Sequence, residues 1–236
     1  MQIIVDRSQI ASRRPGVLGW TFIFMTVLGV LRQDGVRADE PTLSSEITPI
    51  PDRVWDEMQG KSWHRGLSCP DRASLVLITV PYIGYHGKKE LGQLIVAKSV
   101  GQGVKAIFDE IYANGTFRIE RMELIDKYGG DDDASMAANN TSAFNCRFVG
   151  GTTTLSAHAS GIAIDINPIQ NPFVTRSGTF PPAGENYDSP AERSKNIIGI
   201  ITAGDGVTSA FRRHGWKWGG NWSNRKDYQH FSLNGR

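Results

Sequence analysis

Residues 155–168 read LSAHASGIAIDINP. The stretch sets His158 and Asp165 among small and apolar neighbours, in chain that otherwise reads as core. An ionised carboxylate buried without a partner is costly, and the cost falls away if it is paired or bound to a cation. On its own the stretch favours the plainer account, an aspartate bonded to backbone amides beside a surface-loop histidine. The C-terminus changes that balance. There KDYQHF supplies Asp227 and, three positions on, His230. Two imidazoles and one carboxylate suffice for a catalytic zinc, which takes three protein ligands and keeps one position open. A water in that position has its pKa lowered to about 7 and needs a general base within hydrogen-bonding reach. Asp227 stands where such a base is needed.

The chain has 236 residues, room for one sizeable domain or two small ones. Its 26 basic and 24 acidic residues leave a formal net charge of +2. No block is strongly basic, so nothing points to nucleic acid as a partner. Arg7, Arg13 and Arg14 precede the apolar run 17–31, VLGWTFIFMTVLGVL. That run is short of the ~20 residues of a spanning helix. A basic flank before a short apolar run reads as a secretory signal peptide over 1–38, with an uncleaved membrane anchor as the alternative. The expected location is therefore outside the cytoplasm: periplasm, cell wall or extracellular space. Any membrane contact is expected only through this segment. The two cysteines, Cys69 and Cys146, are expected to pair as a disulfide in an exported chain.

Residues 39–62, rich in Pro, Ser, Thr and acid, read as a linker or extended arm, with Trp55 and Met58 able to dock on the domain. The domain is expected over 63–236. Residues 73–85 and 91–100 read as two strands of a hairpin turning near Gly87. Apolar residues at 104, 107, 108 and 111 predict a helix that stops at Gly115. Residues 117–126 read as a strand, and 128–151 as a long loop ending in a short strand over 144–148. Residues 167–194 read as a long surface loop, and 195–216 as helix in pieces. Without regular βαβ alternation, the fold class is α+β with a small antiparallel sheet and flanking helices.

With these residues in view, the chain resembles the zinc D-alanyl-D-alanine peptidases of the VanX/VanY type. The wider group includes the L-alanyl-D-glutamate endopeptidases, and its fold is shared with the hedgehog signalling domain. The shared pattern, S-x-H-x-x-G-x-A-x-D followed later by a carboxylate and a histidine three residues on, reads here as Ser156, His158, Gly161, Ala163, Asp165, Asp227 and His230. The resemblance implies His158, Asp165 and His230 as zinc ligands. It implies Asp227 as the base that activates water, and Arg147 as the guanidinium that holds the scissile carbonyl. Gly161 and Ala163 would let the backbone pass close to the metal.

The implied function is zinc-dependent hydrolysis of peptidoglycan stem peptides, as an L-alanyl-D-glutamate endopeptidase or a D-alanyl-D-alanine carboxypeptidase. The alternative is a catalytically inactive, zinc-containing wall-binding module. Asp131–Asp133 read as a solvated acidic turn, His64 and His86 as solvated, and His214 as a helix-end residue. Trp216, Trp218 and Trp222 divide between core packing and the rim of a groove.

Overall fold

The computed structural model describes residues 43–235. The segment 1–38, expected as a signal peptide or anchor, lies outside the described residues. Among the described residues no helix is long and apolar enough to cross a membrane. In chain order the elements are β1 (Glu46–Thr48), α1 (Asp52–Met58), β2 (Leu75–Ile83), β3 (Lys89–Ala97), α2 (Gly101–Asn114), β4 (Arg121–Met122), α3 (Asp132–Ala137) and β5 (Asn140–Thr141). They continue with β6 (Ala163–Asp165), β7 (Phe173–Thr175), β8 (Gly178–Phe180), α4 (Pro190–Arg193), α5 (Gly206–Arg213), β9 (Lys217–Trp218), β10 (Lys226–Asp227) and β11 (His230–Ser232). The class is α+β. Small antiparallel sheets run in the orders β1-β2-β3, β10-β7-β8 and β6-β11-β9, beside a two-residue parallel pair, β4 with β5.

The expected hairpin is the frame of the molecule. β2 and β3 pair in unbroken register from Leu75 opposite Ala97 to Ile83 opposite Lys89. Because side chains alternate across a strand, the two faces of this hairpin serve two cores. Val76, Ile78, Val80, Leu94 and Val96 face α2, which presents Val104, Ile107, Phe108 and Ile111 at helical spacing. Leu75, Leu77 and Ile95 face the other way, onto Ile50, Val54 and Met58. That second face explains a departure from expectation. Residues 46–58 do not form an extended arm. They form the edge strand β1 and the helix α1, because an apolar sheet face needs a cover. Met58 is fully buried, and the Trp55 ring lies 5.1 Å from that of Trp63.

Other departures have local causes. Of the strand expected over 117–126, only Arg121–Met122 forms. The flanking amides of Glu120 and Glu123 donate instead to the side-chain oxygens of Asn167 and Asn140, a local alternative to a ladder. The strand expected over 144–148 is absent. The amides of Phe144, Asn145 and Cys146 donate to Ile95, His158 and Ser62 respectively, three unrelated partners. The long segment after β6 is tied down by the buried Arg193. Its guanidinium donates to the carbonyls of Gln170, Tyr187 and Ile201 and to Asn171 Oδ1, and lies 3.7 Å over the Tyr228 ring.

Cys69 and Cys146 form a disulfide across 77 residues of sequence, as expected. Disulfides belong to oxidising compartments such as the periplasm and the extracellular space. A cross-link closing so long a loop acts strongly on the unfolded chain. Cys69→Ser is expected to lower stability by about 2–5 kcal/mol, read as a shift in the denaturant midpoint that reductant reproduces in the parent protein.

Candidate metal centre and active site

The centre begins with a strand register. β11 pairs with β6 so that His230 lies directly opposite Asp165. Residues facing each other across an antiparallel pair project to the same side. His230 and Asp165 therefore meet although 65 positions separate them, with Nδ1 2.9 Å from Oδ1. The third group comes from a single 3-10 turn, Ala157–Ser160. Ser156 opens that turn, its Oγ accepting from the His158 amide at 3.3 Å. His158 Nδ1 lies 2.6 Å from the carbonyl oxygen of Ala143. With its proton donated there, Nε2 carries the lone pair and faces the other two groups. Nε2 lies 3.3 Å from His230 Nδ1 and 3.2 Å from Asp165 Oδ2.

These three residues form a buried cluster able to hold a metal ion. In a tetrahedron with bonds of ~2.0–2.1 Å, ligand atoms lie about 3.3 Å apart. The observed separations of 2.9, 3.2 and 3.3 Å stand close to that edge length. The donor set therefore fits a small divalent ion such as zinc. Burial acts to raise the Asp165 carboxyl. The charge of His158 and the hydrogen bonds of both histidines outweigh it and hold the group well below the usual carboxylate range.

Gly161 answers to a contact other than the one expected. It ends the His158 turn at φ +67°, and a Cβ there would lie 2.5 Å from the backbone nitrogen of Ala97. The residue lets the ligand turn press on the end of β3, where Ala97 N–H donates to the Gly161 carbonyl at 2.9 Å.

Asp227 sits on β10, opposite Phe173 of β7. The turn before it passes so close that a Cβ on Gly219 would lie 2.6 Å from the Asp227 carbonyl oxygen. Asp227 lines the same groove, of about 1190 Å³, as His158, Asp165 and His230. Its Oδ1 is sealed from solvent and has no hydrogen-bond partner in the protein. Burial pushes the Asp227 carboxyl up to about 7. His230 and His158 oppose the rise, and Asp165 and Asp132 add to it. A carboxyl so placed exchanges a proton near neutrality.

Arg147 also lines the groove, and Asp132 forms an ion pair with its guanidinium. A second nitrogen, Nη1, donates to the Phe148 carbonyl at 3.2 Å. Nε is buried and without a partner in the protein. Asp132 is the residue that sequence reasoning passed over. The acidic run is not merely a solvated turn: Asp131 caps α3 and Asp132 holds Arg147. The Ala143 carbonyl was equally hidden, since a main-chain acceptor leaves no mark in a sequence. Trp216 and Trp218 are core residues, whereas Trp222 lines the groove with its ring 5.7 Å from that of His230. His64, His86 and His214 take no part in the metal-binding cluster.

Residues 150–233 match a family model described as D-alanyl-D-alanine carboxypeptidase. The match supports a peptidase. It takes in Ser156, His158, Asp165, Asp227 and His230, and begins just after Arg147. No curated protein and no solved structure matches the chain.

Two outcomes follow from this geometry. His230→Ala or Asp165→Ala is expected to cut bound metal from about one equivalent to below about a tenth, measured by metal analysis of the purified protein. The second concerns the metal-free protein. The folded Asp227 carboxyl stands at about 7, above its ordinary 3.8, so the folded state holds a proton that the unfolded chain releases. That contribution is full below 3.8 and is lost as pH rises toward 7. The depressed Asp165 acts in a separate window, its contribution being lost only as pH falls below 3.8. Unfolding free energy should thus fall between about pH 4 and pH 7, and Asp227→Asn should flatten that slope in denaturant titrations.

Proposed function

We propose that the chain is an exported zinc-dependent peptidase that hydrolyses peptidoglycan stem peptides. The observation that carries this reading is the convergence of two imidazole nitrogens and one carboxylate on a single buried point. The Asp227 carboxylate, whose Oδ1 has no partner in the protein, lines the same groove. The match of residues 150–233 to the D-alanyl-D-alanine carboxypeptidase family supports it. The disulfide and the basic, then apolar, N-terminal sequence support a site of action outside the membrane, where peptidoglycan lies.

The ligands in this reading are His158, Asp165 and His230. Zinc held there would supply Lewis acidity at the scissile carbonyl. Asp227 is placed to take a proton from the attacking water and to return it to the departing amine. The Arg147 guanidinium donates to the carbonyl oxygen as negative charge gathers on it. Asp132 anchors that guanidinium and so aims it. His158 is kept in one tautomer by the Ala143 carbonyl, which holds the nitrogen lone pair toward the centre. The bond cut is either L-alanyl-D-glutamate or the terminal D-alanyl-D-alanine linkage.

The decisive measurement is incubation with purified peptidoglycan, with and without chelator, followed by masses of the products. Loss of one terminal alanine marks the carboxypeptidase, and cleavage between L-alanine and D-glutamate marks the endopeptidase. Soluble products of neither kind, or products indifferent to chelator, would sink the reading. Asp227→Ala is expected to lower kcat by about 10²–10⁴-fold while zinc stays bound. Arg147→Ala is expected to lower kcat by about 10²–10³-fold.

A further inference from the structure

The charges around the groove are unevenly distributed. Asp131, Asp132 and Asp133 stand together along its lining, with Asp165 and Asp227 deeper within. Against these acids the lining has two arginines, Arg147 and Arg225. Arg147 is neutralised by Asp132. Arg225 makes no ion pair and no hydrogen bond among the described residues, so it is the arginine of this groove whose charge no acid answers.

Its placement is nonetheless defined. Arg225 immediately precedes β10, two positions ahead of Asp227. Its guanidinium lies 4.9 Å from the Trp222 ring centroid and 5.8 Å from that of Phe173. Stacking on the two faces orients the group while leaving its edge N–H donors available. Trp222 is in turn 5.7 Å from the His230 ring. The two steps, 4.9 and 5.7 Å, put the guanidinium within the reach of about three extended residues from that ring. A planar, unpaired guanidinium fits a carboxylate in a bidentate manner, and the acidic lining disfavours a carboxylate elsewhere.

We propose that Arg225, held over Trp222 and Phe173 beside the metal-ligand cluster, is the carboxylate anchor of the substrate groove and so selects peptides that carry a carboxylate close to the bond that is cut. The proposal rests on the peptidase reading and deepens it. Stem peptides with lysine as the third residue, the kind used below, offer that chemistry in two places, the C-terminal α-carboxylate and the free carboxylate of D-glutamate.

The test uses the full chain, zinc-loaded and carrying Asp227→Ala so that peptide is not consumed. Calorimetry compares binding of three stem pentapeptides: one unmodified, one amidated at the C-terminus, and one amidated at D-glutamate. Arg225→Gln keeps the side-chain stem over the rings and removes the charge. It is expected to weaken binding of the unmodified peptide by about 10- to 100-fold. It should leave one amidated peptide within about twofold, and that peptide identifies the carboxylate recognised. Arg225→Lys should fall between the two, keeping the charge and losing the fork. Equal weakening of all three peptides, or no change in any, overturns the anchor. Hydrolysis by the parent protein is scored separately by mass. A protein that binds peptide through Arg225 yet cuts none would reject the peptidase reading and leave the anchor standing.

Discussion

Everything in the centre depends on one pairing, His230 of β11 opposite Asp165 of β6. A slip of one residue would turn either side chain to the other face of the sheet and dissolve the cluster. The register is protected on both edges. β9 pairs with β11, and the backbone of Ser142 bonds to that of Asp165 in both directions at 2.9–3.0 Å. Hydrophobic packing seals it, with Phe231 fully buried and stacked 4.0 Å from Phe211. The third side chain of the cluster, His158, is delivered separately, by a turn pressed against the end of β3, so the hairpin that frames the cores also positions the cluster.

The sequence displayed the three clustered side chains more clearly than their surroundings. His158, Asp165 and His230 were legible because metal chemistry demands particular side chains, and the structure draws those three together. The β2–β3 hairpin and α2 were legible because period-2 and period-3.6 patterns survive in long elements. What stayed hidden depends on the main chain or on chain segments without periodicity. The carbonyl that orients His158, the Asp132 partner of Arg147 and the cover formed by residues 46–58 all belong to that class. Gly161 shows the limit well. A glycine was expected, yet its reason is contact with Ala97, which no local pattern reveals.

Electrostatically the centre joins opposed demands. Asp165 is held ionised by two imidazoles, while Asp227 nearby is pushed toward neutrality by burial. Two carboxyls in one groove thereby receive different roles. Isolated charges in such a place would be costly to bury. Here imidazoles answer Asp165, burial raises the Asp227 carboxyl so that it takes up a proton more readily, and the Arg147–Asp132 pair neutralises itself.

Arg193 carries a consequence for how the chain can vary. One guanidinium is satisfied by carbonyls at 170, 187 and 201, positions spread along the stretch that also supplies β7. Displacing any of the three carbonyls would pull an acceptor away from a buried cation. The exposed tip between β7 and β8, Arg176–Ser177, bears no such tether. Natural length differences in this stretch should therefore accumulate at the tip, where the hairpin can lengthen while the three carbonyls stay in place.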